Sequence, residues 1–237
     1  MNVDTRFRSN APEMMDDFGM EGSILSDALD KIASINRLLG GNKVTIDGIE
    51  KLIKNNPKHK IIRITDIGCG NGAMLRKLAE YADKNNLNFI LQGIDANPFT
   101  IKHAKNLSQS FANISYICED IFDNLTQIES CDIFLCTLTL HHFKDEEIIN
   151  LLKQLKQLSR LGIVINDLER SGIAYRLFIA ISFIFRLNKM SREDGLVSIL
   201  RGFKKEDLRG YDKKIDSRMS SIKWKWAFRY QWIIKTS

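Results

Sequence analysis

A glycine-rich run, Asp66-Ile67-Gly68-Cys69-Gly70-Asn71-Gly72-Ala73, lies directly behind an apolar stretch and constrains this chain more than any other feature. Ile61 to Ile67 (IIRITDI) reads as a buried strand, and Ala73 to Ala82 places Met74, Leu75, Leu78 and Ala79 on one helical face. Glycines allow a tight turn and let backbone approach a ligand closely. The first amides of the following helix then face that ligand. The spacing G-x-G-x-x-A also fits a dinucleotide fingerprint, so the turn alone does not decide the ligand.

The rest of the chain repeats this alternation. Phe89 to Ile94, Ile114 to Cys118, Cys131 to Cys136 and Gly162 to Asn166 read as further strands. Between them, Asn97-Pro98 starts one helix, with Asn as cap and Pro in the first turn, and Asp145 is expected to cap another. Strands alternating with helices imply βαβ units and a mostly parallel sheet covered on both faces. Ahead of it, Ile24 to Leu38 shows helical periodicity that stops at Gly40-Gly41, and a short helix is expected from Ile46 to Lys54. Residues 1–57 therefore read as a helical cap on a domain of residues 58–237, with residues 1–20 only partly ordered. Behind Ser171 come an apolar helix, a polar loop holding Asp194-Gly195, and a short helix over Lys204 to Arg209. Alternating segments near 213–226 and 228–235 suggest a terminal hairpin and an antiparallel strand.

Composition excludes several classes. With 44% apolar and 27% charged residues in 237, the chain builds its own core. Cys69, Cys118, Cys131 and Cys136 form no C-x-x-C pair and read as reduced thiols, which points to the cytoplasm and away from a metal site. The net charge of +6 is dispersed, so no nucleic-acid partner is expected. The N-terminal residues lack the apolar core of a signal peptide. Leu177 to Phe185 is too short for a membrane span, which takes about 20 residues.

Three carboxylates narrow the ligand. Asp66 ends the first strand, where it would meet a cationic amino group and repel a pyrophosphate. Asp95 ends the second strand in GIDANP and is placed to accept two ribose hydroxyls. Asp120 follows the third strand in CEDIFDN, within reach of an exocyclic amine, with Ile121 beside it to pack on a ring. Any one of them serves equally well as a loop or capping residue. Three at successive strand ends along one sheet edge form a set.

DIGCGNGAML, GIDANP, CEDIFDN and CDIFLCTLTLHHF together resemble the successive motifs of class I S-adenosylmethionine methyltransferases, over about residues 60–170. The resemblance implies a Rossmann-like three-layer α/β sandwich, with a seven-stranded, mostly parallel sheet whose last strand is antiparallel. It implies S-adenosyl-L-methionine as cofactor. Asp66 and Gly68, Cys69, Gly70, Asn71 and Gly72 would hold its methionine part. Asp95 and Ala96 would hold the ribose, Asp120 and Ile121 the adenine, and Leu138 and Thr139 would lie near the sulfonium. MMDD, INRLLGG, LHHF, NDLERS and EDGLVSILRGF also resemble a bacterial subgroup associated with secondary metabolism, whose N-terminal helices close over the active site.

The acceptor is expected to be small and hydrophobic or aromatic, with O-methylation favoured. His141 and His142 follow the fourth strand and are candidate bases. Asp167 and Arg170 follow the fifth, one to orient a histidine or hydroxyl, the other to bind a carboxylate. Asp167 and Arg170 would equally serve as a cap and an ion pair, and Asp194 with Arg201 reads as an ion pair of a lid. Tyr175 opens the apolar helix and is a candidate substrate contact. Loose membrane contact by that helix is also open. The rival readings are a nicotinamide-dependent reductase, an RNA methyltransferase, and a non-catalytic S-adenosylmethionine-binding protein. The first lacks a Tyr-x-x-x-Lys pair. The second usually carries an N/D-P-P-Y/F motif where this chain has CTLTLHHF.

Overall fold

In the computed structural model of this chain, residues 3–55, 60–123 and 128–236 are described. The apolar alternation becomes seven strands: β1 (Ile61–Ile67), β2 (Asn88–Asp95), β3 (Ile114–Cys118), β4 (Cys131–Thr137), β5 (Ser159–Leu168), β6 (Ser220–Lys225) and β7 (Arg229–Lys235). They form one sheet in the order β3-β2-β1-β4-β5-β7-β6. β1 to β5 run parallel, and β7 pairs antiparallel with both β5 and β6. This is the Rossmann-like arrangement expected. The order reverses between β1 and β4, which opens a crevice at their carboxyl ends.

Helices α2 (Gly41–Ile53), α3 (Ala73–Asn85) and α4 (Pro98–Leu107) cover one face, and α5 (Asp145–Leu158) and α8 (Lys205–Lys214) the other. Alternation within β4 divides its side chains between the two faces. Ile133 and Leu135 pack with Ile49, Leu75 and Leu78, whereas Phe134 and Cys136 pack with Leu151, Leu152 and Trp232. The start of α4 follows its sequence signal, since the Asn97 side chain accepts from the Thr100 amide.

Helix α1 (Ser23–Leu38) and α7 (Lys189–Arg201) make a third cluster of Leu25, Ala28, Leu29 and Met190 above the crevice. Residues 3–22 are tied down rather than loosely ordered. The Arg8 guanidinium donates to the carbonyls of His141, Phe143 and Arg201, and Asp194 accepts from the amides of Met14 and Met15.

Several boundaries differ from expectation. The Asp194-Gly195 segment is helical, inside α7. A Cβ at Gly195 would stand 2.3 Å from the Phe178 ring, so this glycine serves close packing against α6 (Gly172–Ile184). The Gly40-Gly41 pair ends α1 and at once starts α2, because Gly40 takes a left-handed turn and Gly41 is already helical. Asp145 is not a cap: Lys144 holds that position, and its amide donates to Glu147. The expected short helix after Lys204 extends to Lys214, which shortens the first hairpin strand to β6. The expected boundary at 57/58 lies among residues outside those described. Among the described residues no helix is long and apolar enough to cross a membrane, and none of the four cysteines is paired.

Gly162 lets β7 add to the sheet. Its φ is +149°, and a Cβ there would sit 2.1 Å from the Ile234 carbonyl oxygen. Gly162→Ala should cost about 2–4 kcal/mol, combining overpacking with a backbone conformation closed to alanine. Denaturant midpoints check this; a loss below about 0.5 kcal/mol would contradict it.

Candidate active site

A cavity of about 870 Å³ opens at the carboxyl ends of β1, β2 and β4, lined also by α1, α6 and the start of β7. The turn after β1 forms its floor. Gly68, Gly70 and Gly72 all have positive φ, for different reasons. A Cβ on Gly68 would strike Thr139, and one on Gly72 would strike the Tyr116 hydroxyl. At Gly70 the nearest atom is a Leu29 methyl at 3.7 Å, so there the bare backbone faces the cavity. The Asn71 side chain ties the turn to α1 through Asp30 and accepts from the Ala73 amide. Cys69 is buried against Gly93 and packs in the core beside the turn.

The carboxylates take distinct states. Asp95 accepts from the Gly70 amide at 3.0 Å and the Asn97 amide at 3.1 Å; burial raises its pKa, opposed by those amides. Asp120 accepts from the Phe122 amide, which keeps it and Ile121 at the cavity wall with Ala96. Asp66 differs from both. It is 2% exposed, and its Oδ1 makes no hydrogen bond. Burial, with Asp95 nearby, pushes its pKa up to about 8. A buried carboxylate without a donor is costly unless a cation joins it.

Past β4, Leu138 holds a left-handed backbone at φ 56°, pinned by its amide on the Asn166 carbonyl. Thr139 then donates to the Ile67 carbonyl, locking the β4 turn to the β1 turn. Leu140–His142 form a short 3-10 turn. His141 is 3% exposed, and its Nδ1 stands 2.6 Å from Asp167 Oδ1. Burial would raise the Asp167 pKa, but the His141 imidazole outweighs it and the net shift is downward. His142 lies against His141, with ring centroids 4.3 Å apart, and its Nδ1 meets Asp16 at 2.6 Å.

Glu13 and Asp16, absent from the expected site, complete this corner. Glu13 is 5% exposed; its Oε2 accepts from Ser198, and its Oε1 has no hydrogen bond. Donor atoms of Glu13, His141 and His142 lie within 4.8 Å of one another, a spacing that could hold a metal ion. Arg201 already brings a positive charge there, at 2.6 Å from Asp16 and 3.8 Å from Glu13 Oε1. Its guanidinium also donates to the His141 and His142 carbonyls. Arg201 and Asp194 thus both anchor the N-terminal segment rather than each other.

Two expected substrate contacts lie outside the cavity. Arg170 is 2% exposed, and its guanidinium donates to the carbonyls of Thr5, Arg6 and Gly202 and to Asp207. That leaves no edge for a substrate carboxylate. Tyr175 is absent from the lining, whereas Ala174, Leu177, Phe178, Ala180, Ile181 and Ile184 of α6 face the cavity.

Residues 64–162 match the family model described as methyltransferase domain. Among solved structures, the chain is similar to the plantazolicin methyltransferase BpumL in complex with SAH, at 20% identity and TM-score 0.67, over 90% of this chain and 89% of that one. It is similar to magnesium protoporphyrin IX methyltransferase (ChlM) from Synechocystis PCC 6803 with bound SAM, at 14% identity and TM-score 0.55, over 94% and 89%. It also resembles the citrinin polyketide synthase CMeT domain, at 16% identity and TM-score 0.59, over 80% of this chain and 50% of that one. At such identities the likeness speaks for the fold. No curated protein matches the sequence.

Asp66 generates a pH-dependent prediction. Its carboxyl titrates near 8 when folded, against an ordinary 3.8, so the folded state binds the extra proton. Stability from this group is full below about pH 4 and is lost as pH rises through about 8, by up to about 1.4 kcal/mol per unit. Asp66→Asn removes that loss. Ligand-free Asp66→Asn should gain stability over the wild type between pH 5 and pH 9 in denaturant melts. A constant difference across that range would contradict the buried, unpaired state of Asp66.

Proposed function

We propose, on the match of residues 64–162 to a methyltransferase-domain model, that this protein transfers a methyl group from S-adenosylmethionine to a small, largely apolar acceptor, at oxygen. The observation that carries the reading is the unpartnered Asp66 carboxylate beside the bare Gly70 backbone. An amino-acid ammonium supplies the missing cation there, and a pyrophosphate would be repelled, which disfavours a nicotinamide cofactor. Asp95, held by two backbone amides, suits a ribose diol; Asp120 and Ile121 stand at the next strand end for the adenine. Leu138 and Thr139, in the constrained β4 turn, complete the wall.

When bound, S-adenosylmethionine supplies a methyl carbon activated by its sulfonium. The chain's own part is to orient the acceptor, exclude water and take a proton. With Nδ1–H donated to Asp167, His141 presents Nε2 as the proton acceptor for an acceptor hydroxyl. Asp167 then balances the imidazolium. His142, gripped by Asp16, closes the N-terminal segment over the same corner. The apolar acceptor space comes from Phe143, Leu177, Phe178, Ile181 and Ile184. This lining, with the resemblance to the secondary-metabolism subgroup, favours a polyketide-like or aromatic-lipid acceptor met in the cytoplasm. In the same reading, residues 1–57 act as a cap over the domain that follows.

Calorimetry with S-adenosylmethionine and with NADH separates the cofactors; binding of NADH alone would overturn the proposal. Asp95→Ala should weaken S-adenosylmethionine binding by about 1–3 kcal/mol, through loss of a charged acceptor for buried hydroxyls. Given a panel of phenols and hydroxylated lipids, S-adenosylhomocysteine release reports turnover. His141→Ala should lower that rate about 10²–10⁴-fold with cofactor affinity unchanged. An undiminished rate would remove His141 from the chemistry.

A further inference from the structure

Arg229, the first residue of β7, carries a buried positive charge that has no ion pair among the described residues. It is 3% exposed and lines the cavity beside Leu168, the residue it pairs with across β5 and β7. Among the described residues its guanidinium makes one hydrogen bond, Nη1 to the neutral amide oxygen of Asn36 at 2.7 Å, and no ion pair. Its Nε is buried without any partner. Asp167 is the acid whose charge acts on it, and its Oδ1 is engaged with His141 and the Leu168 amide. Glu169 also lines this part of the cavity, but its Oε2 accepts from the Trp224 indole. Burial lowers the Arg229 pKa to about 10, which leaves it charged at neutral pH.

The fold makes room for this residue. Gly41 packs so closely that a Cβ there would stand 2.3 Å from Arg229 Nη1 and 1.8 Å from Asn36 Oδ1. Removing a charge from water costs several kcal/mol unless a partner compensates. The sheet order also separates two halves of the cavity. The carboxylates suited to the cofactor come from β1, β2 and the β3 end, whereas Arg229 lies beyond β5, on the acceptor side.

We propose that Arg229 binds a carboxylate carried by the methyl acceptor, so that the acceptor is an amphiphilic acid with an apolar body. The proposal rests on the methyltransferase reading of the cavity. The unpaired edge of a guanidinium matches a carboxylate, which it holds by two parallel hydrogen bonds. One uncompensated positive charge calls for one negative charge, which favours a carboxylate over a phosphate dianion. A carboxylate gripped in this way has both oxygens engaged. It serves as the anchor, and a separate hydroxyl near His141 receives the methyl group. The apolar walls from α6 take the hydrocarbon part.

The test uses the full-length protein saturated with S-adenosylhomocysteine and titrated calorimetrically with decanoate or with uncharged decanol at pH 7. The wild type should bind decanoate at least about tenfold more tightly than decanol, about 1.4 kcal/mol. Arg229→Met should abolish that preference while decanol binds as before. Arg229→Lys keeps the charge without the fork, should retain part of the preference, and serves alone if Arg229→Met fails to fold. Equal binding of acid and alcohol by the wild type, or a preference unchanged by either variant, would overturn the assignment. S-adenosylhomocysteine binding is read in the same samples. Its absence in the wild type defeats the methyltransferase reading, whereas its presence without an acid preference defeats only the role of Arg229.

Discussion

The Asp66 carboxylate is buried at the one place where the sheet order reverses, and its Oδ1 has no hydrogen bond. A folded chain rarely leaves such a group unpaired, because the desolvation cost goes uncompensated. Here every neighbouring feature keeps the space beside it open. Gly70 presents bare backbone, and Asp95 is held back by the Gly70 and Asn97 amides. The Thr139 hydroxyl donates to the Ile67 carbonyl. The β1 turn is thus braced from behind, while its ligand-facing side is left short of positive charge.

The far side of the cavity follows a complementary logic. There the buried charges are closely paired, and the pairs reach across the chain. Asp167 holds His141, Asp16 holds His142, and Arg201 ties both histidine carbonyls to the N-terminal segment. This network fixes the imidazoles and roofs the cavity with one set of contacts. Arg229 is the exception on that side, as Asp66 is on the other. The two unpaired groups, one acid and one base, lie in different halves of one apolar cavity. That arrangement suits two ligands of different charge bound side by side.

What was legible in the sequence was local. The strand, glycine turn and helix around Asp66 to Ala73 occupy consecutive residues, as does the Asn97-Pro98 start of α4, so their signals survive without knowledge of tertiary contacts. Asp95 and Asp120 were readable because a strand end fixes the edge on which a residue falls. Glu13 and Asp16 were not, because their partners are remote: Ser198 lies 185 positions from Glu13. Gly195 misled in the same way. A glycine after an aspartate reads as a loop, yet this one packs under Phe178, a contact between two helices. Arg170 stood at the correct sheet edge but turned inward, drawn by three carbonyls and Asp207. Strand end predicts the edge; only packing decides whether a long side chain meets ligand or protein.

The most direct measurement is the proton balance of cofactor binding. Asp66 titrates near 8 in the empty protein and is therefore largely protonated at pH 7. An ammonium placed against it would favour the ionised form and expel that proton. Calorimetric titration of S-adenosylmethionine at pH 7, in buffers of different ionisation enthalpy, should show release of about one proton per molecule bound. Binding with no proton release would contradict the pairing of Asp66 with the ligand, and no binding at all would contradict the account of the cavity.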